Sequence, residues 1–210
     1  LTGAQGEAVL NALTEDNGAL LKAYDVKGFQ LNLRNKDFLG MDVIVSHSFS
    51  FNVNSHQLEG RYHYSRMDGK LFSKAQYDKI YDFYFNHMGA ELSALKAKHV
   101  VSVSLSVAQT IAGHDLSVTY SLGFNLRDEY ESNLVGITTL EGYLVSFTMA
   151  QDIKNALIAN DGQLLTDYGA NGFSFNFELV YAGYAYMGTY SGSRDVNTLD
   201  YKVNLNFRNI

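Results

Sequence analysis

The sequence predicts an α+β fold in which short helices pack on one face of an antiparallel sheet. Three observations predict this fold. Helix-start signals recur three times, each is followed by a segment in which apolar and polar residues alternate, and a glycine then precedes a second strand-like segment. Because these features recur in the same order with few gaps, we interpret the chain as three tandem repeats of about 72 residues.

The predicted repeats span residues 1–72, 73–147 and 148–210, and the third is incomplete because it lacks a returning strand. The chain contains no proline, and no Gly/Ser-rich stretch separates the repeats. Since linkers between independent domains are usually rich in these residues, we expect one continuous domain over residues 1–210.

Each predicted helix begins with a capping box, a hydroxyl residue followed three positions later by Gln. The hydroxyl accepts from the backbone N–H of the third helical residue, and the Gln side chain accepts from the N–H of the cap. The three pairs are Thr2 with Gln5, Ser73 with Gln76, and Thr148 with Gln151. After Ser73 we expect one long helix. Its apolar stripe, at spacings of three and four, comprises Tyr77, Tyr81, Tyr84, Met88, Leu92 and Leu95.

Strict alternation predicts the first strand of every repeat. The apolar positions are Phe29, Leu31 and Leu33, then Val101, Val103, Leu105 and Val107, then Phe173, Phe175 and Phe177. Hydroxyl and amide side chains lie between most of them. Because successive strand residues point to opposite faces, we expect one apolar face and one polar face.

Glycines mark the predicted turns. Gly40, Gly113 and Gly183 should each open a second strand, because glycine tolerates the positive φ of tight hairpin turns. The segments 16–18 (Asp-Asn-Gly) and 160–162 (Asn-Asp-Gly) are interpreted as turns that end a helix. Neither segment carries the alternating carboxylates of a calcium loop.

Charge and composition exclude several classes of function. The formal net charge is -6 and the basic residues form no stripe, so we predict no nucleic-acid partner. No segment reaches the roughly 18 apolar residues of a transmembrane helix, and none is predicted. Without cysteine the chain has no disulfide and no cysteine nucleophile. Because it opens at Leu1 and not at Met, we expect a processed or truncated product, and we favour a protein that is secreted or located in the bacterial cell envelope.

Three histidines, His47, His56 and His63, fall within one predicted hairpin. If residues 54–55 form a two-residue turn, His47 lies opposite Tyr62 and apolar residues face one another. A register that places His47 opposite His63 would break that apolar pairing. We therefore predict no metal site here, and we predict no cofactor elsewhere in the chain.

Residue patterns typical of an active site are missing from the sequence. Serine and threonine are abundant, but no Gly-x-Ser-x-Gly segment presents one as a nucleophile. The acidic residues Asp128, Glu129 and Glu131 lie at a predicted hairpin turn, where solvation keeps carboxyl acidities ordinary. We predict no catalytic residues and favour a protein that is not an enzyme.

Tyrosines are the candidates for binding, since the chain contains 15 of them. Some tyrosines on the predicted strands must leave the core, and exposed tyrosines favour contacts with proteins or sugars. The candidates are Tyr62, Tyr64, Tyr181, Tyr184, Tyr186 and Tyr190.

These observations predict a non-catalytic, secreted or cell-envelope protein with a binding or structural role. We expect it to contact a protein or a glycan through exposed sheet faces. The alternative is a carrier that holds an apolar small ligand between helices and sheet. An enclosed apolar cavity would favour the carrier, and a solid core would favour the binding protein. The sequence leaves the oligomeric state open.

Overall fold

A computed structural model of the protein describes residues 1, 3–86, 90–125, 127–194 and 200–210. The helices are α1 (Gly3–Ala23), α2 (Lys74–Phe85), α3 (Ala90–Ala97), α4 (Phe147–Ile158) and α5 (Gln163–Asp167), with a 3-10 helix at Ala159–Gly162. The strands are β1 (Gly28–Phe38), β2 (Met41–Phe51), β3 (Leu58–Arg66), β4 (Val100–Ile111), β5 (His114–Phe124), β6 (Tyr130–Thr139), β7 (Val145–Ser146), β8 (Gly172–Tyr181), β9 (Tyr184–Arg194) and β10 (Tyr201–Asn209).

The strands of the described residues form an open, mostly antiparallel sheet. Its order is β1-β2-β3-β4-β5-β6-β8-β9-β10, and β7 pairs with β8. The predicted α+β class with an antiparallel sheet is thus confirmed. The chain divides into two compact units: a first unit of residues 1–105 and 122–130, and a second unit of residues 106–121 and 131–210. Three repeats and a single domain stay predictions.

Two-residue turns join β1 to β2, β4 to β5 and β8 to β9. The glycines Gly40, Gly113 and Gly183 have φ of +79°, +81° and +78°, and the residue before each also has a positive φ. Positive φ at both central residues defines a type I′ turn, whose twist matches that of the flanking strands. The next strands begin at the very next residue, as the sequence predicts.

In the first unit, α1 and α2 pack on the apolar face of β1–β3. A Cβ atom at Gly6 of α1 would overlap the Leu33 side chain, so glycine permits this close approach. From α2, the Tyr84 hydroxyl lies 2.6 Å from that of Tyr64 on β3. The alternating residues of β2 and β3 are buried beneath these helices, Val43 at 0% exposure among them.

In the second unit, the helices pack on the apolar face of β8–β10. The Phe147 ring of α4 lies 5.4 Å from that of Phe177, which is fully buried. Gly162, just before α5, contacts Tyr201 of β10. Tyr168, which follows α5, stacks at 5.3 Å on Tyr120. Aromatic rings thus fill the space between helix and sheet.

Both units place a glycine directly opposite a phenylalanine on the neighbouring strand. The registered pairs are Phe49 with Gly60, Phe177 with Gly188, and Phe173 with Gly192. In every pair the ring lies where a Cβ would otherwise project from the glycine. The ring covers the glycine backbone, a known way to stabilise glycine within a sheet.

One of the three predicted capping boxes is confirmed and one is wrong. The Gln76 N–H donates to Ser73 Oγ at 3.3 Å, and the Ser73 N–H donates to Gln76 Oε1 at 3.0 Å. At α4 the cap is instead Ser146, which accepts from the Met149 N–H at 3.3 Å. Thr148 lies inside the helix because β7 pairs with β8 and holds Ser146 extended at the helix start. Thr2 lies outside the described residues.

The prediction of one long helix after Ser73 is also wrong, because α2 ends at Phe85 and α3 begins at Ala90. Spacings of three and four continue through this point, so the pattern alone conceals the break. The two helices have different partners: α2 bonds to β3, whereas Ser93 of α3 bonds to Tyr130 of β6. Met88 of the predicted stripe lies outside the described residues.

The segments 16–18 and 160–162 are not simple helix ends. All three residues in each segment have left-handed φ, from 48° to 72° in the first and from 50° to 73° in the second. Helix resumes after both, so the expected turn is a sharp change of helix direction. Asn17 anchors the first one, since its Oδ1 accepts from the Leu58 N–H at 2.6 Å. Asn, Asp and Gly tolerate this backbone region better than other residues do.

Candidate functional site

Polar side chains form two rows across β1–β4 of the first unit, and we call these rows the polar face. Strand register defines both rows. One row comprises Gln30, Ser48, Arg61 and Ser102, and the other comprises Asn32, Ser46, His63 and Ser104. Neighbouring members of a row lie on strands about 4.8 Å apart.

The polar face results from the same alternation that builds the core. Residues between the rows, such as His47 and Tyr62, point to the opposite side and are buried beneath α1 and α2. Ser48, Arg61 and His63 are exposed to solvent. Most side chains of the rows are serine or asparagine, which are too short to enclose a small molecule. The rows therefore suit contact with another surface.

Hydrogen bonds order one end of the polar face. His63 Nδ1 and Ser104 Oγ lie 2.9 Å apart and share a hydrogen bond. Ser104 Oγ also lies 3.4 Å from the Tyr62 carbonyl, to which it donates. These bonds fix the orientation of the His63 ring, so one imidazole edge is held in place on an exposed surface.

The second unit carries similar polar rows on β8–β10. Ser174, Ser191 and Asn204 form one row, and Asn176, Thr189 and Asn206 form the next. Thr189 Oγ1 donates to Asn176 Oδ1 at 2.6 Å. Hydroxyl and amide faces are therefore present in both units.

Three of the six candidate tyrosines are core residues. Tyr62, Tyr64 and Tyr190 are 6%, 5% and 6% exposed. Burial raises the pKa of Tyr62 and raises that of Tyr64 to about 12, although the hydrogen bond from Tyr84 opposes the second shift. Side chains so deeply buried supply packing and offer almost no area to a partner.

The other three candidates lie near the turn that joins β8 to β9. Tyr181 and Tyr184 are opposite each other and are both 69% exposed, and Tyr186 is half-buried. Tyr181 and Tyr186 join Leu179 and Phe207 around an open, apolar depression of about 250 Å³. The structure thus brings these three tyrosines together, whereas Tyr62 and Tyr64 belong to the core of the first unit. Their role in binding stays a prediction.

The register predicted for the histidine hairpin is confirmed, since His47 pairs with Tyr62 and Phe51 with Leu58. The predicted two-residue turn is wrong: Asn52 Oδ1 accepts from the N–H groups of residues 54 and 55, within a six-residue loop. The His47 ring is buried 4.0 Å from that of Tyr62, and burial lowers the pKa of His47 to about 4. Within the described ranges, no three metal-ligating side chains come together.

A polar depression of about 400 Å³ lies beside Arg66 in the first unit. The Arg66 guanidinium donates to Asp68 Oδ2 at 2.5 Å and to Gln76 Oε1 at 3.1 Å. Gln76 is also part of the capping box of α2. The guanidinium therefore ties the end of β3 to the start of α2, and its contacts have a structural explanation.

The chain matches no model of a protein family and no curated protein. None of the helices in the described part of the chain combines the length and apolar character needed to cross a membrane. Sequence reasoning identified a hydroxyl and amide face but did not place Arg61 and His63 on it. The position of His63 could have been predicted from the pairing of His47 with Tyr62, because that pairing puts the neighbouring His63 opposite Ser46.

Proposed function

We propose that this is a non-catalytic protein with a binding or structural role, which contacts a protein or a glycan through the polar face. One observation carries the proposal: two rows of mainly short, polar side chains lie in register on four strands, opposite the helices. Hydroxyl and amide groups both donate and accept hydrogen bonds, and serine loses little entropy on binding.

The charged residues on the polar face limit which chemical groups a partner can present to it. Arg61 is exposed beside the ordered His63 ring, and Glu59 accepts from Asn52 Nδ2 at 2.9 Å at the edge of the face. A partner rich in hydroxyl groups, or one that carries a carboxylate opposite Arg61, would satisfy this arrangement. Both a glycan and a polar protein surface meet that requirement.

We further propose that the chain consists of three copies of one unit and works at the bacterial cell envelope or after secretion. Three observations support the repeats: the type I′ turn occurs three times, the left-handed triplet occurs twice, and the opposed phenylalanine and glycine occur in both units. Repetition would present similar polar rows more than once.

A matched pair of substitutions tests the binding proposal. Ser48→Arg places a long, charged side chain at an exposed position in the polar face, whereas Ala12→Arg places the same side chain on an exposed position of α1. The wild-type protein is first screened against immobilised glycans and against candidate envelope proteins. Any ligand found should bind Ser48→Arg at least about 10-fold more weakly and should bind Ala12→Arg unchanged.

Ligands that bind Ser48→Arg as tightly as the wild type would contradict the assignment to the polar face. If such a ligand instead loses affinity when Tyr181 and Tyr184 are both replaced by Ser, the tyrosine end of the β8–β9 hairpin is the binding surface. That result would favour the second binding surface predicted from the sequence.

The carrier of an apolar ligand is the less supported candidate. Between α2 and β3, the space is filled by the Tyr64 and Tyr84 rings, whose hydroxyls are bonded to each other. The apolar depression beside Phe207 is open and lies on the sheet surface. Mass spectrometry of the purified protein under native conditions would reveal a retained apolar ligand and would reverse this preference.

A further inference from the structure

Strands β1 and β10 form the two ends of the strand order among the described residues. Along an antiparallel strand, the N–H and C=O of one residue point to the same side, and this side alternates. The Ile210 N–H donates to the Ala185 carbonyl of β9, so the backbone N–H and C=O groups of even-numbered residues of β10 point towards β9. The backbone groups of Val203, Leu205 and Phe207 therefore point away from β9.

The side chains at this edge are apolar and accessible. Leu205 is 43% exposed and Phe207 is 49% exposed. An accessible apolar edge strand is a template for pairing with another chain unless something covers it. On β10 the basic residues Lys202 and Arg208 lie near the two ends of the strand and leave its centre uncharged.

The position equivalent to this edge is covered by a parallel strand in the first unit. There, Leu31, His47 and Tyr62 lie opposite one another on β1–β3, as Phe175, Tyr190 and Leu205 do on β8–β10. Leu205 thus occupies the place of Tyr62. Tyr62 pairs with Val103 of β4 in a parallel ladder, and the Gly60 N–H donates to the His99 carbonyl at 2.7 Å.

The second unit uses the same kind of junction, because β6 pairs with β8 in parallel. Strands β3 and β6 are each the third strand of a three-stranded antiparallel group, β1–β3 and β4–β6. Each pairs in parallel with the first long strand of the next group, β4 or β8. Strand β1 is itself such a first strand, since a type I′ turn follows it as one follows β4 and β8.

The outer side of β1 also carries backbone groups that point away from β2. Leu1 already occupies part of the edge, where its carbonyl accepts from the Arg34 N–H at 3.2 Å and its ammonium group donates to the Asn32 carbonyl at 3.5 Å. The backbone N–H and C=O groups of even-numbered residues of β1 therefore point away from β2. The Gln30 carbonyl and the Asn32 N–H point to the same side, with Leu31 between them.

We infer that β10 of one copy of this chain pairs in parallel with β1 of a second copy, with Leu205 opposite Leu31. The Leu205 N–H then donates to the Gln30 carbonyl, and the Asn32 N–H donates to the Leu205 carbonyl. Leu205 and Leu31 lie on the same apolar face, and Asn206 and Asn32 meet on the polar side. This pairing follows from strand register, backbone hydrogen bonds and exposed apolar side chains, and it is independent of the proposed binding function.

Such an interface uses different surfaces on the two copies, so each copy keeps one unused edge. Assembly should therefore continue beyond a dimer as concentration rises. Sedimentation velocity of the wild-type protein, from about 1 µM to about 500 µM, should show average mass increasing steadily through dimer and trimer. A wild-type protein that stays monomeric over this range would overturn the inference.

Two single-edge variants give the decisive test. Leu205→Pro removes an outward N–H from β10, and Asn32→Pro removes one from β1; edge strands accept proline at such positions. Each variant alone should be monomeric over the whole concentration range. Because each retains the edge that the other lacks, an equimolar mixture should form a 1:1 dimer and nothing larger.

Other results would contradict head-to-tail pairing. A dimer of Asn32→Pro alone would indicate pairing of β10 with β10, and a dimer of Leu205→Pro alone would indicate pairing of β1 with β1. Dimer formation in the mixture also shows that both variants fold. A second pair, Leu205→Lys and Leu31→Lys, retains every backbone donor and should give the same three results; if it assembles like the wild type, the proposed register is wrong.

Discussion

The first and last three-stranded regions, β1–β3 and β8–β10, share one pairing pattern but differ in how far their apolar faces are covered. On β2 and β3 apolar residues are buried near both ends of the strands, from Met41 at 7% exposure to Leu58 at 1%. In β8–β10 the face is buried at Phe177, whereas Tyr181 and Phe207 are exposed. Equal alternation in sequence therefore produces unequal burial.

The helices explain this difference. Strands β1–β3 receive α1, through Gly6, and α2, through Tyr84. On β8–β10, α4 packs on Phe177, and the segment before α5 packs on Tyr201. Alternation determines which residues share a face, but a helix from another part of the chain determines whether that face is covered.

A pair of Phe→Ala variants should give the largest effect and tests the comparison directly. Phe177→Ala removes a fully buried ring and should lower the free energy of unfolding by about 4 kcal/mol. Phe207→Ala, on the same face but half-exposed, should lower it by about 1 kcal/mol. Urea denaturation measures both. Equal losses would show that the two ends of β8–β10 are covered alike.

The second prediction concerns pH and the closed core of β1–β3. Burial lowers the pKa of His47 from 6.5 to about 4, so the unfolded chain binds a proton at a pH where the folded chain does not. The contribution of His47 to stability is complete above about pH 6.5 and falls as pH decreases towards 4, by about 3 kcal/mol in total.

His47→Leu should remove that part of the pH dependence. Urea denaturation between about pH 7 and about pH 4.5 should show the wild type losing stability relative to His47→Leu as pH falls. The exposed loop variant His56→Gln serves as the control and should follow the wild type. Parallel curves for wild type and His47→Leu would mean that the His47 ring is accessible to solvent in the folded state.

Replacing one glycine in each region with alanine tests whether β1–β3 and β8–β10 are packed equally tightly. Gly60→Ala and Gly188→Ala each place a methyl group where a phenylalanine ring lies, Phe49 in one case and Phe177 in the other. Overpacking should lower the free energy of unfolding by about 2 kcal/mol in both variants, measured by urea denaturation. A loss at only one site would show that the other ring moves aside freely.

The smallest effect is expected from single hydroxyl groups. Tyr64→Phe breaks the buried hydrogen bond to Tyr84 and should lower the free energy of unfolding by about 1 kcal/mol. Tyr181→Phe removes a hydroxyl from a side chain that is 69% exposed and should leave thermal stability unchanged. A measurable loss in Tyr181→Phe would indicate that this side chain has a partner in solution.

Much of the strand pattern could be predicted from the sequence because its signals are local. Alternation located β1, β4 and β8, and the turn glycines located the starts of the second strands. The pairing of His47 with Tyr62 followed from keeping apolar residues together, although the turn itself was predicted wrongly. Register depends on many side chains at once, so it survives an error in one turn.

Features that depend on distant residues could not be predicted. Thr148 fits the pattern of a cap, but the pairing of Val145 with Phe177 on β8 shifts the cap to Ser146. Tyr62 and Tyr181 both lie on alternating strands, and only the positions of the helices distinguish the buried ring from the exposed one. The polar face likewise required four strands to align, and two of them are joined through a helical segment.

The separation of the polar face from the core has a consequence for how this protein could evolve. Substitutions at Ser48 or Arg61 alter the chemistry offered to a partner and leave the packing beneath α1 and α2 untouched. Selection for stability therefore constrains these positions weakly, and recognition can diversify by point mutation on an unchanged scaffold. A combinatorial library at the same positions would yield many folded variants with different specificities.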